Sequence, residues 1–185
     1  MELTLSPATG AETKQIRELY FSAFPREERS PFGLMKRRAK QGVGKMLAAK
    51  DGGEFVGFTY IIESADCAYL FYLAIVPQTR GAGYGSAILE QLREMYADKR
   101  LFLARESLDE SADNYEQRVR RHEFYLRNGF SDLDCKIREL TVTFDVMSIG
   151  GEITPEDYKN LIIPWCGKFR QKHYPMKLFI PTERK

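Results

Sequence analysis

The sequence predicts a mixed α/β protein, and three observations predict it. Strand-like and helix-like segments alternate along most of the chain. The run Ala68–Val76 (AYLFYLAIV) is apolar on both faces, the pattern of a central strand covered on both sides. Around it lie helical segments that each carry a single apolar face.

In order, Leu3-Thr4-Leu5 is a short alternating strand, and Thr9-Gly10-Ala11-Glu12 is a capping box that opens a helix. Ile16, Leu19, Tyr20, Ala23 and Phe24 give that helix its apolar face, and Pro25 stops it. The polar, basic stretch from Arg26 to Gly42 contains a second short helix over about 33–41. Lys45–Lys50 and Glu54–Ile62 flank Asp51-Gly52-Gly53 and form a β-hairpin. After Ala68–Val76 come Pro77, a glycine-rich turn, and a helix from about Gly83 to Ala97 with Ile88, Leu89, Leu92 and Met95 inward. Leu101–Ala104 is a further buried strand. Tyr115–Asn128 is a second long helix, closed by Gly129 in the left-handed conformation. Two strands follow, near Cys135–Val142 and Thr143–Ile149. From Glu152 the character changes: Thr154-Pro155-Glu156-Asp157 starts a helix that Pro164 should limit to two turns, and Met176–Ile180 is a final strand. The expected organisation is one domain over 1–150 with an extension, 151–185, packed upon it.

Composition narrows the function. The 185 residues are 43% hydrophobic and 29% charged, with twelve Phe and ten Tyr, enough for a core without metal or disulfide. A formal net charge of +2 gives no ground for a nucleic-acid partner. Cys67, Cys135 and Cys166 are odd in number and far apart, and with His122 and His173 they match no zinc spacing, so reduced thiols and no metal are expected. The start has no basic-then-apolar leader, and no run approaches the ~18 apolar residues of a membrane span. A cytoplasmic protein with no membrane partner is the expectation, as a monomer or homodimer.

The chemistry concentrates in Gln78-Thr79-Arg80-Gly81-Ala82-Gly83-Tyr84-Gly85-Ser86, a turn between a buried strand and an amphipathic helix. Helix-start N–H groups lack intrahelical partners, the dipole adds positive charge, and glycines let the backbone curl around a phosphate. The turn lacks the lysine of a Walker A loop, and Gly-x-Gly-x-Gly is not the dinucleotide spacing. A connection that only permits tight packing is the alternative.

Gln78-Thr79-Arg80-Gly81-Ala82-Gly83 resembles the Gln/Arg-x-x-Gly-x-Gly/Ala signature of the GNAT superfamily of acyl-CoA-dependent N-acyltransferases. Phe124-Tyr125-Leu126-Arg127-Asn128-Gly129-Phe130 resembles that family's second motif, Tyr-x-x-x-Gly-Phe, and the element order over 3–149 follows the family pattern. The resemblance implies a mostly antiparallel, twisted sheet splayed at its middle, with helices on both faces. It implies acetyl-CoA as cosubstrate in a cleft where the central strand and Leu101–Ala104 diverge. Backbone of Ala74, Ile75 and Val76 would then bind the pantetheine arm, and Arg80, Gly81, Ala82, Gly83, Tyr84, Gly85 and Ser86 the pyrophosphate. Tyr125 would give a proton to the departing thiolate. Seven residues before it, where many members carry asparagine, stands Arg118, so that either a basic residue meets the cofactor or the helix is placed differently. The family's frequent glutamate on the central strand is absent from Tyr69–Leu73.

Amine attack on a thioester requires the free amine. Glu106, just after a central strand, is the expected base, with Glu63, Asp66 and His122 as alternatives. By the family resemblance the region between the first two helices walls the acceptor pocket. There Glu27 and Glu28 can bind a cationic amine, Arg26 or Arg29 a carboxylate, and Phe32 an apolar group; a solvated connecting loop with internal ion pairs is the alternative. Lys36-Arg37-Arg38 with Lys40 is a solvated helix face or a contact for an acidic partner or the CoA 3′-phosphate. The expected reaction is acetyl transfer to a primary amine of a small molecule. A protein or peptide acetyltransferase acting on an N-terminus or lysine, and a non-catalytic acyl-CoA-binding module, stay open.

Overall fold

In a computed structural model, residues 1–139, 141–167 and 176–181 are described. Among them are eight strands and five α-helices: β1 (Leu3–Pro7), α1 (Gly10–Ala23), α2 (Phe32–Lys40), β2 (Gly44–Asp51), β3 (Glu54–Glu63), β4 (Cys67–Ile75), α3 (Tyr84–Met95), β5 (Arg100–Glu106), α4 (Tyr115–Arg127), β6 (Ser131–Glu139), β7 (Val142–Ile149), α5 (Pro155–Cys166) and β8 (Met176–Phe179). The strand order is β1-β2-β3-β4-β5-β7-β6-β8. The pairings β1–β2, β2–β3, β5–β7, β6–β7 and β6–β8 are all antiparallel. The mixed α/β architecture, and the antiparallel character of these pairings, are as expected.

The chain forms two compact units, Met1–Glu63 with Leu70–Ala97, and Ser64–Tyr69 with Asp98–Lys185. In the first, the β2–β3 hairpin turns through Gly52 and Gly53, both at positive φ (56° and 93°), as the Asp-Gly-Gly sequence demands. Its core gathers Ile16, Tyr20, Met35, Phe58, Tyr60, Ile61, Ile88 and Leu92, all fully buried. The Tyr60 hydroxyl donates to the Met35 carbonyl at 3.1 Å, so a buried polar group finds a partner on α2. Glu12 closes the α1 capping box with Thr9 and also pairs with Lys50 of β2 at 2.8 Å. These bonds, Lys50 foremost, hold its carboxyl below the usual range.

In the second unit, Tyr69 stacks on Phe102 with ring centroids 4.6 Å apart, and its hydroxyl donates to Glu139 at 2.9 Å. Tyr158 of α5 donates to the same carboxylate oxygen, and Arg100 of β5 forms a bidentate pair with Asp157 at 2.8 and 2.9 Å. Helix α5 is thus knitted into this unit. Cys67, Cys135 and Cys166 are free and buried, and burial pushes the first two thiols up to about 11.

Three local expectations change. Pro164 does not end the last helix, which runs three turns to Cys166. The carbonyl it leaves without an N–H partner belongs to exposed Asn160, while Trp165 and Cys166 beyond it are buried, so packing carries the helix past the proline. Strand β6 starts at Ser131 rather than Cys135, because a bulge between Leu133 and Lys136 breaks the alternation by which strands are read. Met95 is exposed rather than inward: the α3 helix ends there, and Tyr96, outside the helical conformation, is buried instead.

Candidate functional site

The strand-to-helix turn takes the geometry its glycines allow. After β4 a short 3-10 turn, Pro77–Thr79, leads into Arg80, whose Nε donates to the Ile75 carbonyl at 3.3 Å. Gly81 and Gly83 lie at φ 82° and 87°, left-handed values that side-chain-bearing residues adopt at a cost. Gly83 is the N-cap residue of α3, and no side chain caps that helix. Gly81, Ala82 and Gly83 are exposed. Free first-turn N–H groups, a positive dipole end and an open glycine surface are what a pyrophosphate requires. The Tyr84 hydroxyl binds Asp51 at 2.6 Å, which leaves only the backbone of Tyr84 to serve an anion.

Along the end of β4, the Val76 N–H is committed to Val56 of β3 at 2.9 Å. Gly57 lets β3 come this close: a Cβ there would meet the Ala74 carbonyl oxygen at 2.5 Å. Strand alternation turns the Ile75 backbone the other way, and its carbonyl takes Arg80. Of the three residues expected to bind pantetheine, Ile75 therefore presents backbone that β3 does not use.

Tyr125 sits at the third-last helical position of α4, and the motif around it has a physical cause. Phe130 N–H bonds the Tyr125 carbonyl at 3.1 Å and Gly129 N–H bonds Leu126 at 3.0 Å, with Gly129 at φ 86°. This is the Schellman closure, and the hydrophobic contact that accompanies it is Phe130, buried, edge-on to the Tyr125 ring with centroids 5.7 Å apart. Glycine supplies the left-handed turn and phenylalanine clamps the tyrosine ring. Burial pushes the phenol above its ordinary value, and Arg121, one turn earlier, pulls it back.

Glu106 ends β5 with both carboxylate oxygens engaged. Asn114 Nδ2 (3.1 Å) and Arg118 (3.3 Å) meet Oε1, and Arg121 (2.5 Å) meets Oε2. Arg118 also donates to Asn114 Oδ1 at 2.7 Å and to the Ser107 carbonyl at 2.9 Å. The structure thus brings Glu106 and Arg118 together. It adds Asn114 and Arg121, which sequence reasoning missed although Arg121 stands at helical spacing from Tyr125. His122 pairs with Asp132 at 2.7 Å, and Asp132 also takes Arg105, a residue almost wholly buried. Burial raises the Asp132 carboxyl, but hydrogen bonds from Arg105 and His122 outweigh it and lower it overall.

The segment expected to wall the acceptor is fixed from within. Tyr72 of β4 donates to the Glu28 carbonyl at 2.8 Å and accepts from Ser30 N–H at 2.9 Å, while Tyr20 donates to the Ser30 carbonyl at 2.8 Å. Glu27 is exposed, Glu28 and Arg29 are half-buried, and Phe32 is buried at the start of α2 against Tyr20. The tyrosines were the unread signal. Among the described residues no group of His, Cys, Asp and Glu gathers as a metal site, and no helix is long and apolar enough to cross a membrane.

Comparisons with known proteins place the fold and the family. A search of curated proteins finds no match. Among solved structures, a protein from Bacteroides thetaiotaomicron assigned to the GNAT acetyltransferases is similar at TM-score 0.69 and 22% identity, covering 92% of this chain and 98% of that one. An aminoglycoside 6′-N-acetyltransferase complexed with coenzyme A matches at 0.61 and 17%, covering 79% and 96%. Arabidopsis thaliana Naa50, in complex with the bisubstrate analogue CoA-Ac-MVNAL, matches at 0.60 and 18%, covering 82% and 100%. The family model described as the acetyltransferase (GNAT) domain matches residues 39–132, half of the chain and the stretch from the end of α2 through the Tyr125 motif, and the chain belongs to the GNAT family of acyl-CoA-dependent acetyltransferases.

Proposed function

We propose that this acetyltransferase moves the acetyl group of acetyl-CoA to a primary amine of a small molecule by direct attack within a ternary complex. The observation that carries the donor assignment is the uncapped start of α3 behind two left-handed glycines. In this reading the N–H groups of residues 80–86 take the pyrophosphate, the Ile75 backbone takes the pantetheine arm, and Glu27 and Glu28 attract the cationic acceptor. An aminoglycoside-acetylating enzyme and one holding a peptide-bearing analogue share the fold, so acceptor size is decided by assay.

In the step itself the amine nitrogen bonds the thioester carbon, the C–S bond breaks, the nitrogen loses a proton and the sulfur gains one. Tyr125 is assigned to the sulfur. Even at its ordinary ~10 a phenol is a weaker acid than a thiol near ~8.5, and burial raises Tyr125 further, so complete transfer to a free thiolate is uphill by at least roughly 2 kcal/mol. Its contribution is a hydrogen bond that strengthens as sulfur gathers charge, with the nitrogen's proton restoring the balance through solvent. Glu106 is the carboxylate proposed to accept the amine's proton, which requires it to release a guanidinium; Arg118 is held in place beside it.

Acetyl-CoA should raise the melting temperature progressively with concentration; no shift at millimolar acetyl-CoA removes the donor site. Tyr125→Phe should lower turnover by on the order of 10²-fold with donor affinity unchanged, and unchanged turnover under rate-limiting chemistry removes Tyr125. Glu106→Gln should flatten the rise of rate with pH; an unaltered profile leaves Glu106 only the anchoring of Arg118 and Arg121. Thiol release across polyamines, aminoglycosides, amino acids and short peptides identifies the acceptor class.

A further inference from the structure

Between α1 and α2, within the first unit, runs an open groove of about 570 Å³. Its apolar surface is Phe21 and Phe32, and Phe21 is unusual in being 43% exposed. Lys14 and Arg17 of α1 and Lys36 of α2 line it, all exposed, and no acidic residue does. The Arg17 guanidinium lies 5.1 Å from the Phe21 ring centroid, and Arg29 lies at the same distance. A ring face orients a guanidinium without neutralising it, so the N–H donors and the charge stay available. Among the described residues none of Lys14, Arg17, Arg29 or Lys36 is engaged in an ion pair. The glycines Gly10 and Gly33 leave the walls open, since a Cβ at either would meet nothing within 4 Å.

Four cations with no ion pair among the described residues, set around an exposed aromatic ring, are complemented by an anion with a flat apolar body. We infer that this groove binds a small aromatic or otherwise apolar carboxylate. The carboxylate is held by Arg17 and Lys36, whose guanidinium and ammonium donors suit it, and the body lies on Phe21 and Phe32. The volume is that of a small-molecule site rather than a macromolecular face. Because binding is read without turnover, the inference stands apart from the acetyl-transfer reading, although Arg29 and Phe32 border both.

The test is a phenylacetate titration of the full chain, followed by backbone amide NMR at Gly10, Thr13 and Gly33. These amides should move saturably in the millimolar range. Phenylacetamide, which keeps the ring and loses the charge, should move them far less. Arg17→Glu and Lys36→Glu should each weaken phenylacetate at least about tenfold. Both positions are exposed, so the fold is retained. Arg37→Glu makes the same charge change on α2 outside the groove and should leave binding nearly as it was. Four results overturn the inference: no amide shifts, phenylacetamide binding equally well, the groove variants binding as the parent does, or Arg37→Glu weakening binding as much as they do.

Discussion

The starts of α1 and α3, both in the first unit, solve the same problem in opposite ways. At α1, Thr9 accepts from the Glu12 N–H and Glu12 accepts from the Thr9 N–H, so the free donors of a helix start are used internally. Helix α5 repeats this with Thr154 and Asp157. At α3 nothing caps the helix, and the approach runs through two left-handed glycines. Helices α2 and α4 also lack a side-chain cap, yet neither begins at a left-handed glycine. What separates the α3 start is therefore the pairing of open donors with a backbone free of side chains. Closed starts serve stability, and the open one leaves its donors to the proposed pyrophosphate.

The comparison breaks most visibly if α3 is closed. Gly83→Asp places a capping carboxylate where the phosphate should lie. Stabilisation by acetyl-CoA, about 2.7 kcal/mol at a hundredfold excess over Kd, should then vanish, and undiminished thermal stabilisation in the variant would refute the open-start reading. Next in size is Asp157, which caps α5 and binds Arg100. The guanidinium holds its carboxyl down at about 2, below its unfolded value. A depressed carboxyl stabilises the fold above its unfolded pKa of ~3.9, and that contribution is lost as pH falls through about 2. Asp157→Asn should cost roughly 2 kcal/mol at neutral pH and flatten the acid limb between about 4 and 2, as read by denaturant melts. Gly129→Ala strains the closed end of α4 and should cost about 1 kcal/mol, with turnover falling more than donor affinity because Tyr125 is displaced. The smallest effect is Thr9→Ala: about 1 kcal/mol or less, and acetyl-CoA affinity the same as the parent's. A change in that affinity would mean the two helix starts are coupled.

Much of the fold was legible because its signals are local. The Thr9 box, the Asp-Gly-Gly hairpin and the doubly apolar Ala68–Val76 each depend on neighbours a few residues away. The shape of the turn before α3 was legible for the same reason, since a helix start and its glycines are contiguous. The surroundings of Glu106 were not. Asn114, Arg118 and Arg121 reach it from another element, and no spacing rule announces that two arginines will share one carboxylate. Pro164 misled because burial of Trp165 and Cys166 is a tertiary term that outweighs one missing hydrogen bond. Residues 131–134 went unread because the bulge between Leu133 and Lys136 breaks the period of two.

The Tyr72 hydroxyl, which fastens both the Glu28 carbonyl and the Ser30 amide, makes β4 a ruler. Tyr72 and Ile75 stand three residues apart on one extended strand, a span of about 10 Å. The proposed acceptor wall and the proposed donor backbone are thus graduated on the same rigid element. A change in the 25–32 loop that kept its bonds to Tyr72 would alter which amine is admitted without altering how far that amine stands from the thioester. Such an arrangement lets specificity drift while alignment is conserved.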